Sequence, residues 1–301
     1  MNAMTKIVST SATLSTRALL VSLSISQWSG RRLDRAITKE VNDKHSAAAD
    51  ASRVNKLLLP PDALAGITKV VSATRSGFLE RTLPWLDDGQ RVMSSDAYLN
   101  HTSWIRKQRA QFEDKVEEFL ADYDKHVNDA KKRLGSMFDQ NDYPTKAELR
   151  AKFSMSTNVL PVPTSNDFRA EMTEAQADLI RRQIEDTVTE ATSIAIKDIY
   201  RRVHDVAERM VDRLNAYKPA AKPGDKTEGQ FRDSLVGNVR DLIGILPSLN
   251  ILGDPQLAAM ADKLKPLAEH DADDLRSSAD LRRSVAAEAK AILDQVADFL
   301  A

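Results

Sequence analysis

The feature that most constrains this chain is one amphipathic stripe that runs from about Asp167 to Tyr217 with no Pro or Gly to interrupt it. Its apolar positions are Met172, Ala175, Leu179, Ile184, Val188, Ala191, Ala195, Ile199, Val203, Val206, Met210 and Leu214, at helical spacing. Ser165, Asn166 or Asp167 is the expected N-cap. About fifty residues at ~1.5 Å each make a rod of roughly 75 Å, longer than a compact domain is wide. Such a helix must project, or pack along equally long neighbours.

A second stripe runs through Trp104, Gln108, Phe112, Val116, Phe119, Tyr123, Val127, Ala130, Leu134 and Phe138, with Gln108 its polar exception. Gly135 weakens its last turn and Asn141-Asp142-Tyr143-Pro144 ends it. Arg32–Lys56 and Pro61–Glu80 read as helices, and Leu83–Gly89 as a turn. Pro and Gly mark Lys218–Gly229 as a linker, followed by three shorter helical segments. Gly253-Asp254-Pro255 opens the middle one, with Pro at the first helical position. His270–Asp274 separates it from the last.

Met1–Leu33 carries four cations and no acid, the composition of a mitochondrial presequence. Leu19, Val21, Leu23 and Ile25, however, alternate in the period of a strand, which favours a folded element. Its partner is sought at Lys152–Leu160, which stops at Pro161-Val162-Pro163 because proline cannot continue a ladder. The expected fold is therefore mainly α: long antiparallel helical rods with a helical bundle and a small two-stranded β element, residues 19–27 with 152–160. The expected division is an N-terminal region 1–103, a helical hairpin 104–218, a linker 219–229 and a C-terminal bundle 230–301.

With no Cys, the chain has no disulfide scaffold, thiolate metal site or cysteine nucleophile. No G-x-G-x-x-G, Walker A loop, G-x-S-x-G or H-E-x-x-H motif occurs, so the usual signatures of nucleotide, acyl-transfer and zinc chemistry are missing. No apolar run approaches the ~20 residues that span a bilayer. A non-enzymatic protein without cofactor or metal is expected. Asp122 with His126, and His204 with Glu208, have the spacing of paired ligands but read better as helix-surface contacts.

Formal charge is nearly balanced, with 43 Lys and Arg against 44 Asp and Glu, yet it is not evenly spread. Residues 1–100 hold 13 cations against 9 acids, 101–218 hold 20 against 21, and 219–301 hold 10 against 14. Basic doublets recur along the chain, and those within Ile105–Tyr217 have acids a turn or two away, as a salt-bridged helix face does. Arg31, Arg32, Arg35, Lys39 and Lys44 form the candidate basic track. Trp28, beside Gly30 and the Arg31-Arg32 pair, has two readings: an interface anchor, or a core residue closing the strand, with Gly30 at a positive φ and the Arg pair in water. Trp85 shares them.

Several stretches together match a known pattern: Gln27–Asp34, Leu83-Pro84-Trp85 with Asp88–Arg91, Phe119–Tyr123, Leu134–Phe138, Tyr143-Pro144, Phe153–Pro163, Asn166–Arg169, and Asn238 with Leu249-Asn250 and Asp254-Pro255. In order and spacing the chain, from about Leu19 to its end, resembles an uncharacterised domain-of-unknown-function family carried by bacteriophages and prophages. The resemblance implies a phage or bacterial origin and a cytoplasmic location, and carries no catalytic or binding residues over. The expected role is a helical scaffold or adaptor that self-associates or docks on a protein partner. In a phage setting an AAA+ ATPase is one such partner, a suggestion with no residue behind it. The alternative is nucleic-acid binding through the basic N-terminal region.

Overall fold

The computed structural model describes residues 10–60, 62–86, 89–164, 173–220, 222 and 226–300. The expected caps Ser165, Asn166 and Asp167, the stripe residue Met172 and part of the 218–229 linker lie outside these residues. The fold is mainly helical, with two small sheets. In chain order it opens with α1 (Thr10–Arg17), β1 (Ala18–Ser26), β2 (Arg31–Leu33), α2 (Arg35–Lys44) and β3 (Asn55–Leu57). Then come α3 (Ala65–Glu80), β4 (Leu83–Pro84), β5 (Arg91–Ser94), α4 (Tyr98–Leu134), α5 (Lys146–Arg150) and β6 (Ser154–Pro161). The remainder is helical: α6 (Glu174–Ala216), α7 (Ser234–Leu249), α8 (Pro255–Ala268), α9 (Ala272–Ser277) and α10 (Ala279–Leu300).

The chain divides into two compact units that interleave in sequence. One comprises Met1–Ser22, Leu79–Leu99 and Val159–Ala301; the other comprises Leu23–Phe78 and Asn100–Asn158. The expected 104–218 hairpin is therefore not a unit of the fold, because α4 belongs almost wholly to the second and α6 to the first. Counting formal charge by unit sharpens the uneven spread seen in sequence. The first holds 23 cations against 29 acids and the second 20 against 15, a net of −6 and +5. They are called the acidic and basic units below.

The expected strands, β1 and β6, are neighbours, but within a four-stranded sheet of order β4-β5-β1-β6. β5 pairs antiparallel with β1, from Ala18 opposite Ser94 to Val21 opposite Arg91, and β4 pairs with β5 through Leu83 opposite Val92. Strands this short carry no readable alternation, and Leu83-Pro84 has the composition of a turn. Pro84 is tolerated because β4 lies at the sheet edge, where a missing N–H interrupts no ladder.

In the acidic unit, α6 packs along α10, and α7 and α8 pack against each other. The fully buried Ala191, Ala195 and Ala207 on α6 and Ala289 on α10 present little bulk, which lets the two axes approach closely. α6 has 43 residues, about 65 Å at ~1.5 Å per residue, and its stripe is buried from Val188 onward except at the partly buried Val206. Nearer its start, Leu179 is 63% exposed. Trp85, Leu83 and Val92 bring the sheet into the same core. Trp85 is 2% exposed and thus a packing residue, which corrects its expected place on an interaction surface.

The last turn of α3 ends on two arginines. Arg202 donates to the carbonyls of Leu79 at 3.0 Å, Glu80 at 2.6 Å and Thr82 at 2.8 Å, and its Nε meets Asp198 at 2.8 Å. Arg91 donates to the Thr82 hydroxyl at 2.6 Å and the Thr82 carbonyl at 2.9 Å. Two cations on the carbonyl end of a helix suit its dipole. Burial and the neighbouring Arg202 lower the Arg91 pKa, with Asp198 opposing.

The basic unit is built on α4, whose stripe buries Ile105, Phe112, Val116, Phe119, Tyr123, Val127 and Ala130. The polar exception is matched: Gln108 Oε1 lies 3.2 Å from the hydroxyl of the fully buried Thr74 on α3. Phe153 meets Phe112 and Phe119 edge-on at 6.5 and 5.9 Å, which brings the end of the α5 region onto the stripe. Thr145 and Glu148 form a capping box at the start of α5.

Candidate interaction surface

Arg32–Lys56, expected as one helix, folds as strand, helix, turn and strand. Asp34 caps α2 by accepting from the Ile37 amide at 3.0 Å, which starts the helix three residues late. The buried Asn42 then folds the chain back: its Nδ2 donates to the Ala49 carbonyl at 3.1 Å, and its Oδ1 accepts from Ser52 Oγ at 2.6 Å. The returning segment pairs as a β2–β3 ribbon, with Arg31 opposite Leu57, Arg32 opposite Lys56 and Leu33 opposite Asn55. Gly30 enters the ribbon at φ +62°, the left-handed conformation anticipated for it.

Alternation gives the ribbon two faces. On the inner one, Lys56 is 8% exposed and places its Nζ 2.6 Å from Asp142 and 3.1 Å from Asp34. It also donates to the Met137 carbonyl at 3.1 Å. Asp142, 7% exposed, takes Arg32 Nε at 2.9 Å. One ammonium thereby ties β3 to the first turn of α2 and to the Gln140–Asp142 turn. The bond from Asp142 is the main reason the Lys56 pKa is raised, against desolvation, and the bond from the Ile37 amide is the main reason the Asp34 pKa is lowered. The Lys56 contribution to stability is therefore complete below the ordinary lysine value and lost as pH rises through its raised one. The Asp34 contribution is present above the ordinary carboxylate range and lost as pH falls through its lowered value.

The outer face carries Leu33 at 41% and Leu57 at 40% exposure, beside the exposed Arg31. Arg133 from the end of α4 donates to the Leu57 carbonyl, which adds a basic segment distant in sequence. Leu57 was not legible as a surface residue; Arg133 was, within the run Lys131-Lys132-Arg133, but its place beside the ribbon was not. Arg31, Arg35, Lys39 and Lys44 are exposed, and among the described residues their side chains have no hydrogen-bond or ion-pair partner.

The expected track is shorter than the sequence suggests. Arg32 is held by Asp142. Arg35 and Lys39 lie one turn apart on one side of α2, whereas Lys44, nine residues from Arg35, falls on the opposite side at the C-terminal end. Trp28 is half-buried, its ring 6.4 Å from Phe119 and 6.3 Å from Tyr123, so it packs on the α4 stripe. Arg31, Arg35 and Lys39 remain.

The other doublets divide by unit. In the acidic unit Arg181 pairs with Glu174 and Asp178, Arg201 and Arg202 pair with Asp198, and Arg283 pairs with Asp280. Arg282 is buried, 4.8 Å over the Tyr217 ring. In the basic unit the exposed Arg106, Lys107 and Lys132 have no ion pair among the described residues, although acids lie near them in sequence. Acids thus answer most of the doublet arginines in the acidic unit, with Arg182 and Arg282 the exceptions, and none of Arg106, Lys107 and Lys132 in the basic unit.

His204 Nδ1 lies 3.6 Å from Asp205 and 4.0 Å from Glu208, a surface group on α6. His126 stacks on Phe119 at 6.1 Å. Among the described residues, no helix is long and apolar enough to cross a membrane. No protein-family model, curated protein or solved structure matches the chain.

Proposed function

We propose that this chain is a non-enzymatic helical scaffold or adaptor of phage or prophage type, which acts by docking its basic unit on an acidic protein surface. A second copy offers such a surface in its own acidic unit. The observation that carries this reading is a unit of net charge +5 in which Arg31, Arg35 and Lys39 are exposed without an ion pair among the described residues, with Arg31 opposite the exposed Leu57 on the ribbon. An excess of unpaired cations over acids creates a field that steers an oppositely charged partner, and the apolar pair gives it something to bury. Two units of opposite sign favour heterologous contacts between copies, the basic unit of one on the acidic unit of the next.

The variant carrying Arg31→Glu, Arg35→Glu and Lys39→Glu tests this reading. All three side chains are exposed and unpartnered, so the fold is expected to survive. At low salt, sedimentation velocity of the wild type is expected to show species larger than the monomer, and the variant is expected to run as monomer. An unchanged distribution would remove these residues from the contact.

A second reading, nucleic-acid binding, is favoured by the same cations and by the ribbon that presents one of them. It expects salt-dependent binding of labelled DNA that the triple variant abolishes. No binding at low salt removes it.

A further inference from the structure

On the acidic unit, one edge of α6, the loop that opens α8 and the last turn of α10 enclose an open pocket of about 460 Å³. Its size falls in the range of small-ligand sites. Its wall is aromatic: the Tyr200 and Phe299 rings stack with centroids 4.2 Å apart and planes within 5°. Tyr200 is buried, and Phe299, 37% exposed, offers the open side of the stack.

Along this wall runs a polar edge. Thr189, Ser193 and Lys197 recur at four-residue steps, so they lie above one another on α6 and all line the pocket. Among the described residues, none of the three side chains has a hydrogen-bond or ion-pair partner. The acid lining the pocket, Asp254, is engaged elsewhere: its Oδ1 accepts from the Gln256 amide at 2.8 Å to cap α8. The pocket thus combines a flat apolar wall with two free hydroxyls and one free ammonium.

We propose that this pocket binds a small planar aromatic carboxylate, its ring against Phe299 and its carboxylate on Lys197 and Ser193. An apolar wall fixes the body, and a charge-assisted hydrogen bond to Lys197 selects the anion over a neutral molecule of the same shape. The site lies in a different unit from the basic surface, so it does not depend on the docking reading.

The test uses 2-naphthoate, titrated into the full chain and followed by calorimetry, with naphthylmethanol as the neutral analogue. Saturable binding of one naphthoate per chain is expected, at roughly 0.1 mM for a ligand of this size. Lys197→Met and Phe299→Ala are each expected to weaken it about tenfold or more. Both positions are at least partly exposed, and an unchanged circular dichroism spectrum would confirm that each variant is folded. The alcohol is expected to bind at least about tenfold more weakly than the acid. The proposal is overturned by no saturable binding, by variants that retain wild-type affinity, or by an alcohol that binds as well as the acid.

Discussion

Replacing Lys56 by Met is expected to destabilise the basic unit by about 3–5 kcal/mol, lowering its unfolding midpoint on the order of 10 °C. The size follows from what remains. Asp34 and Asp142 both lie within 3.1 Å of the Lys56 ammonium, so its removal leaves two largely buried carboxylates with Arg32, on Asp142, as their one remaining cation. The Met137 carbonyl loses its donor in the same step. Two further measurements separate this cause from simple repacking. Adding Asp142→Asn to Lys56→Met is expected to recover part of the loss, since one stranded charge disappears. The deficit of Lys56→Met is also expected to shrink between pH 7 and pH 4, because carboxylates deprived of a cation take up protons more readily. A variant as stable as the wild type at pH 7 would show that the cluster does not hold the ribbon.

Replacing Arg202 by Ala is expected to cost the acidic unit about 3 kcal/mol, seen as lost hydrogen-exchange protection in the last turn of α3 and in β4. Arg202 supplies donors to three carbonyls in and just beyond that turn and shares with Arg201 the neutralisation of Asp198, whose side chain is only 11% exposed. Arg202→Lys keeps the charge but loses the planar fork, so it is expected to recover less than half of the deficit. Full recovery by Lys would assign the effect to charge alone. Arg91 already shares the Leu79 and Thr82 carbonyls, at 3.4 and 2.9 Å, so the Glu80 carbonyl is the one of the three that loses its arginine donor outright.

Long-period features were legible in the sequence, and short or long-range ones were not. The stripes of α4 and α6 repeat over many turns, so their helical state and buried faces could be read from spacing. The cap at Asp254 with Pro255 after it, and the left-handed Gly30, were readable because each depends on its immediate neighbours. β4 and β5, of two and four residues, are too short to show a period. The β2–β3 ribbon was hidden because Asn42, Ala49 and Ser52 make its turn through side-chain bonds that have no periodic signature.

The candidate surface was half legible. Its cations could be listed, but whether an acid answers each is a matter of tertiary position. Sequence distance did not separate Arg32, held by Asp142 more than a hundred residues away, from Arg31, whose side chain has no hydrogen-bond or ion-pair partner among the described residues. Nor did it place Trp85 in the core or Leu57 at the surface. The charge division was visible as a gradient along the chain and became a contrast between units only once the interleaved segments were assigned.

Sedimentation velocity of the wild-type chain across a salt series tests the docking account most directly. Association driven by opposite charges weakens as the Debye length falls from ~30 Å at 0.01 M to ~8 Å at 0.15 M. Complexes are therefore expected at low salt, and the 33.4 kDa monomer at high salt. A monomer at every salt concentration and every accessible protein concentration would contradict self-docking, and association that strengthens with salt would contradict its electrostatic basis.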